Sequence, residues 1–411
     1  MIRPGLQKGC SLSEELETQR LGSLDGLRGI ASLIVLVLHY RFLTDKWNDT
    51  VVHTNPYWDQ FILIYKFGWL AVEFFFVLSG FIFFWKYGQV ISDKAISLSK
   101  FAVLRLTRLY PLHVTTLFLV IPLQWMIYQK SGTTFFYANN DLYHLGLNML
   151  FLNYGWFEAG FSFNAPSWSI ALEVSLYFLF YVLCFGRRNR TLIALGMFLF
   201  FLSLNIRGPV ANIPFMNEHF ARVGYCFFLG GLIHHFYTKL LKMGKAAEVI
   251  GALAVVPVVV VLGSIHYFFM GHPGIAQLTG ARFNTLIILG AFPGLIIAAL
   301  FQPSISKLLG SAPLRFFGDI SYSMYMIHFS VLMTFHYFSI TSTSGPIDFL
   351  KKGTFWMYLS VVVGISTLSY NYFEKPAMKK LRELWYGERK AEVISSPPEI
   401  PVEAVAATAD R

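Results

Sequence analysis

Long apolar runs, interrupted by short polar or basic stretches, set the pattern of this chain. Runs of roughly 17–25 residues are long enough to cross the hydrocarbon core of a bilayer as helices. The pattern predicts about ten spans, at 26–43, 68–87, 109–128, 168–186, 191–206, 219–237, 248–270, 284–301, 317–338 and 354–373. Sustained period-two alternation is absent, which argues against a β-barrel. The interval 129–167 is aromatic rather than charged, and its piece HLGLNMLFLNY predicts a short helix at the membrane interface.

Charge then orients the bundle. With the N-terminus inside, the inner segments hold roughly 22 Lys and Arg against roughly 7 outside. The expected fold is therefore an all-α integral membrane protein of about ten transmembrane helices in one bundle, with both termini cytoplasmic. Residues 1–23 read as a cytoplasmic segment without the pattern of a cleavable signal peptide. Residues 24–374 read as the membrane domain. Residues 375–411 read as a cytoplasmic tail, disordered by composition over Val393–Arg411. A content of 55% hydrophobic and 14% charged residues agrees with the polytopic class. The net charge of +10 sits at span ends and in short loops, so it signals membrane orientation and no nucleic-acid partner. Cys10, Cys184 and Cys226 form neither a disulfide framework nor a metal spacing, and no metal is expected.

The first span carries the strongest chemical signal, LDGLRGIASLIVLVLHY at 24–40. Arg28 and His39 are eleven positions apart, about 20° past three full helical turns, so they share a face about 16 Å apart along the axis. Ionisable residues inside a membrane helix are costly and face a bundle interior or a wet cavity. One end of this stripe suits an anionic ligand and the other suits proton transfer. Glu73 and Glu173 are expected at a depth similar to His39, near the outer ends of their spans. A carboxylate beside His39 would orient the imidazole as a general base toward a hydroxyl. At the inner end, Arg28, Arg105 and Arg108 suit phosphate groups, such as those of a cytoplasmic acyl-CoA. Arg105 and Arg108 share a face if their segment is helical. His328, in the middle of its span, is expected to line the path between the two ends.

Each of these residues also has a structural reading. Arg105 and Arg108 suit inner-face anchoring. His328 suits an interhelical hydrogen bond, and Glu73 suits pairing with an arginine. Trp168 and Trp156 suit interfacial anchoring, and Ser79-Gly80 suits close helix packing rather than nucleophilic attack.

Five segments together resemble the acyltransferase-3 family of polytopic membrane O-acyltransferases. LDGLRG with His39 resembles its opening signature. GWLAVEFFFVLSGFI at 68–82, RLTRLYP at 105–111, NAPSWSIALEVSLYF at 164–178 and ISYSMYMIH at 320–328 resemble its later elements, in the family's order. The resemblance implies an acyl-CoA donor, most often acetyl-CoA, and a hydroxyl acceptor. The acceptor would be a sugar of an envelope polysaccharide, lipopolysaccharide, peptidoglycan or glycolipid, or a small molecule such as an antibiotic. It implies a bacterial cytoplasmic (inner) membrane location, and it matches Arg28 and His39 to the family's functional pair. Some members carry a fused extracytoplasmic esterase-like domain, for which this sequence shows no counterpart. Transfer is then completed by the membrane domain or by a separate extracytoplasmic protein. The expected roles are catalysis by His39, Glu73 and Glu173, and donor binding by Arg28, Arg105 and Arg108. Trp168, Ser169, His328 and Ser79 are expected to contact substrate or line the path, with Trp168 Nε1–H or Ser169 facing the oxyanion. A proton-coupled transporter or flippase is the rival class, since it too uses intramembrane His, Glu and Arg. It lacks support from repeat symmetry or paired broken helices.

Overall fold

The chain begins its described course with a helix, α1 (Gly22–His39), because the apolar run after Leu24 supplies a continuous buried face ending in a 3-10 turn at Tyr40–Phe42. The computed structural model describes residues 20–45, 52–153, 157–207, 217–271 and 281–386. Every regular element among them is a helix. Trp156 and Val393–Arg411 lie outside the described residues.

Helix α2 (Trp58–Phe67) leads into α3 (Leu70–Lys86) through a 61° bend at Gly68 and Trp69. After a short helical turn at Gly88–Ser92, α4 (Leu98–Ser131) runs for 34 residues, so the segment holding Arg105 and Arg108 is helical. Ser97 caps it by accepting from the Lys100 N–H, satisfying one of the open N-terminal donors. A short helix, α5 (Leu142–Met149), overlaps the first part of the predicted HLGLNMLFLNY piece. Then follow α6 (Trp168–Cys184), α7 (Arg190–Arg207) and α8 (Glu218–Leu240). The predicted span 248–270 is two helices, α9 (Lys245–Leu253) and α10 (Val255–Gly271). They are followed by α11 (Ala281–Phe301), α12 (Pro303–Leu309) and α13 (Ala312–Asp319). The last three are α14 (Ser321–Thr341), α15 (Lys352–Ser369) and α16 (Lys375–Tyr386), with a π-turn at Tyr370–Glu374 joining the final pair.

Each of the ten predicted spans coincides with helix. By length and composition, six helices among the described residues suffice to cross a membrane, or seven if the bent α2–α3 pair is one span. α8 and α14 are not among them. Every residue of α14 from Ser321 to Met333 is buried, including Ser321, Ser323, His328 and Ser330. Such a helix is surrounded by protein, so polar side chains on it need not face lipid.

Close backbone approach fixes the centre. α3 packs along α8, and a β-carbon at Gly80 would lie 1.8 Å from the Phe227 carbonyl oxygen. On the other side, α1 lies against α12 and α13. A β-carbon at Gly26 would lie 2.0 Å from the Leu309 carbonyl oxygen, and one at Gly318 would lie 2.1 Å from that of Asp25. The glycines of LDGLRG therefore form a contact face, and Asp25 and Arg28 are left to line a cavity between the helices.

The segment between α4 and α6 is tied to the bundle by buried polar bonds. Asn164 Nδ2 donates to Thr116 Oγ1 (2.9 Å) and to the Met326 carbonyl (3.0 Å). Asn148 Nδ2 donates to Ser162 Oγ (2.9 Å), while its carbonyl accepts from His113 Nε2 (2.8 Å). Asp141 caps α5, and the backbone N–H and ring of His144 hold its carboxyl below the usual aspartate value.

Candidate functional site

A cavity of about 400 Å³ opens between α1, α3, α4, α6, α13, α14 and the π-turn leading into α16. Its residues follow helical periodicity. Val72, Phe75, Phe76, Ser79, Ile82, Phe83 and Lys86 form one stripe of α3. Ser169, Glu173 and Tyr177 come from α6 at four-residue intervals. From Val72 to Lys86 the α3 wall rises about 21 Å along its axis.

One end is basic. Arg28, Arg105 and Arg108 line it together, as do Arg20, Lys86, Lys375 and Arg382. The Arg105 guanidinium lies 4.8 Å from the Tyr87 ring centroid and 5.4 Å from that of Phe83, and it donates to Tyr87 OH. Arg105 Nε is buried without a hydrogen-bond partner among the described residues. Arg105 and Arg108 have no carboxylate within ion-pair distance among the described residues, whereas Arg28 lies 3.9 Å from Asp25. Guanidinium groups held this way are preorganised for phosphate.

The middle is a polar belt. Glu173 Oε1 accepts from Ser79 Oγ (2.8 Å) and from Tyr177 OH. At the far end, Tyr325 OH and Ser169 Oγ stand 2.7 Å apart, and both reach the Pro166 carbonyl (2.9 and 3.3 Å). Behind Tyr325 stands His328, with ring centroids 5.9 Å apart, and behind that His39, at 4.8 Å from His328.

His39 ends α1, and its Nδ1–H donates to the Val35 carbonyl at 2.8 Å. A neutral ring bonded this way carries its basic lone pair on Nε2. His328 repeats the arrangement, with Nδ1 at 3.2 Å from the Met324 carbonyl and Nε2 buried without a partner among the described residues. The His39 ring stacks on Phe42 at 5.6 Å. Phe42 is packed in turn by Phe136 at 4.2 Å and Phe329 at 5.8 Å. Gln124 pins the neighbouring Phe135 by both its N–H (2.9 Å) and its carbonyl (3.1 Å), while Phe136 takes a φ of +62°. An aromatic layer from the α4–α5 connection thus packs over Phe42, the ring on which His39 stacks.

Glu73 and Glu173, the two carboxylates expected beside His39, each have another partner. Glu73 is fully buried against Arg222 of α8, with Arg222 Nε 2.8 Å from Glu73 Oε1. The Arg222 guanidinium packs against the rings of Trp69 (5.6 Å) and Trp168 (6.0 Å). Glu173 faces Ser79 and Tyr177 in the cavity. The reason is packing: the α3–α8 contact turns Glu73 toward α8, away from α1. Ser79 is a hydrogen-bond donor to Glu173, beside the close-packed Gly80. Trp168 belongs to the Arg222 cluster, while Ser169 lines the cavity.

Sequence reasoning did not single out Tyr325, Glu374, Lys375 or Arg382 as site residues. Tyr325 had a signal, since it lies four residues after Ser321 and three before His328 on one helical face. The other three depend on how the chain folds back after α15.

Comparison with known proteins bears on this site. The acyltransferase-3 family model, described as an acyltransferase domain, matches residues 21–371. A Staphylococcus aureus (strain COL) protein provisionally named an O-acetyltransferase is 25% identical over 393 residues, covering 87% of this chain and 57% of its own length. The chain thus spans just over half the length of that relative. The acyltransferase MdmB of Streptomyces mycarofaciens is 31% identical over 169 residues, covering 39% of this chain and 38% of its own. No solved structure matches.

Proposed function

The chain belongs to the acyltransferase-3 family, and from that premise we propose that it is a membrane O-acyltransferase moving an acyl group, most readily acetyl, from cytoplasmic acyl-CoA to a hydroxyl. The acceptor is a sugar of an envelope polysaccharide, lipopolysaccharide or glycolipid, and the location is a bacterial cytoplasmic membrane. In this reading all ten apolar segments cross the bilayer and both termini are cytoplasmic, in keeping with the charge asymmetry. The basic end of the cavity then faces the cytoplasm and His39 lies toward the outer side. The name of the S. aureus relative supports acetyl as the group carried.

The observation that carries the reading is the alignment of a basic cavity end with a tautomer-defined imidazole beyond its far end. Arg28, Arg105 and Arg108 hold the donor's phosphates. Ser79, Glu173 and Tyr177 offer hydrogen bonds to the amides of its arm. The thioester reaches His39 past Tyr325 and His328, the Tyr325 hydroxyl turning from Ser169 and Pro166 toward it. His39 Nε2 removes the proton from the acceptor hydroxyl as the new C–O bond forms at the thioester carbon. Ser169 and Tyr325 donate to the carbonyl oxygen as it gains charge. The C–S bond then breaks, and His39 returns the proton to the departing thiolate. Glu73, held by Arg222, supports the fold and takes no part in the proton transfer.

The test is the O-acyl ester content of envelope glycans, by NMR and mass spectrometry. A deletion strain carrying the wild-type gene is compared with one carrying His39→Ala at matched protein level. Esters at one sugar position should appear with the wild type and fall to background with the variant. Near-normal esters with His39→Ala would remove the base from the scheme. Identical glycans in all strains would redirect the search to small-molecule acceptors or to transport.

A further inference from the structure

We infer that the C-terminal helix α16 completes the donor site: Lys375 and Arg382 bind the phosphates at the nucleotide end of a CoA-type donor. The inference rests on the reading of the cavity as a donor site and extends it past residue 371, where the family match ends.

The π-turn at Tyr370–Glu374 leads α15 into α16. A π-turn is rare and recurs at functional sites. Here it brings Tyr370 and Glu374 to the cavity wall and starts α16, where Lys375, Met378 and Arg382 face the same cavity at positions i, i+3 and i+7. Arg382 Nε donates to Thr107 Oγ1 (3.1 Å) and its Nη2 to the Leu104 carbonyl (3.3 Å). Those two α4 residues each neighbour one of the arginines Arg105 and Arg108. The bonds therefore hold a third guanidinium beside the pair already assigned to phosphate.

Each of the cavity's own acids already has a partner. Asp25 and Asp319 bond Arg20. Glu173 takes hydroxyls from Ser79 and Tyr177, and Glu374 takes them from Ser323 and Ser369 (3.4 Å). A cluster of cations on four helices, with Asp25 beside Arg20 and Arg28, fits a ligand carrying several negative charges close together. The two ends of a CoA thioester fit the gradient of the cavity, with phosphates at Arg105, Arg108 and Arg382 and the acyl end toward Tyr325. Leu381, Leu384 and Trp385 of the same helix are exposed.

The experiment uses the full chain in lipid nanodiscs and measures equilibrium binding of CoA and of pantetheine, which lacks the nucleotide phosphates. Wild type should bind CoA far more tightly than pantetheine. Lys375→Ala and Arg382→Ala should each weaken CoA binding about tenfold, the scale of one charge-assisted phosphate contact, and leave pantetheine binding within twofold. Lys375 is exposed, so its variant tests the idea even if loss of Arg382 loosens the helix; Lys375→Arg should restore tight binding. If wild type does not distinguish the two ligands, the donor reading fails and the inference with it. If wild type does, but both variants bind CoA as wild type does, α16 is a surface helix only and the inference alone is overturned.

Discussion

The Val35 carbonyl decides which nitrogen of His39 is basic, and the choice comes from the helix itself. A carboxylate partner would do the same work and add charge; a backbone carbonyl orients the ring without it. The acids at this depth have other tasks, which yields a sharp contrast between two substitutions. Arg222→Ala leaves the Glu73 carboxylate buried without its counter-charge, and breaking such a pair costs about 3–5 kcal/mol. Glu73→Gln leaves a partly exposed arginine and should cost less. Chemical denaturation in detergent measures both. If Glu73→Gln abolishes ester formation while stability stays near wild type, Glu73 acts in the reaction and not in the fold. The sequence marked Glu73 as expensive to bury but could not name its partner. Arg222 lies far along the chain, and a pairing between distant helices leaves no periodic trace.

At the level of helices, the apolar pattern read well wherever lipid-length runs were continuous, as in α1, α6 and α11. It read less well where a helix continues into charged sequence. α4 extends back to Leu98 through Arg105 and Arg108, because caps and tertiary contacts, not apolar content, hold that first part. It also missed the break between α9 and α10 at Ala254, although Pro257 signals it, having no N–H for the Leu253 carbonyl and a ring that crowds it. The small residues were legible as packing devices, and their effect is testable at the α3–α8 crossing. Gly80→Ala sets a β-carbon against backbone, which cannot give way as a flexible side chain would. It should destabilise the protein by about 1–3 kcal/mol. Gly146→Ala, with open space around its β-carbon, is the matched control and should be neutral or mildly stabilising. Equal melting temperatures for the two variants would remove the crossing as a constraint.

For the molecule as a whole, the basic end of the cavity was visible in the sequence as Arg28, Arg105 and Arg108, since arginines at the edge of apolar runs stand out whatever they bind. The aromatic layer over Phe42 was not visible, because Phe135 and Phe136 reach it only through the fold of the α4–α5 connection. The cations gathered around one cavity have a further consequence. Like charges held together repel, so without an anion the bundle is pushed apart at its basic end. Polyanions that bind there should act as a clamp on the folded state, adding about 2.7 kcal/mol when present at a hundred times their Kd. Melting temperature should therefore climb with pyrophosphate or CoA at constant ionic strength, and sodium chloride should give a smaller gain through screening alone. A melting temperature unmoved by either anion would mean that the repulsion is already relieved within the protein.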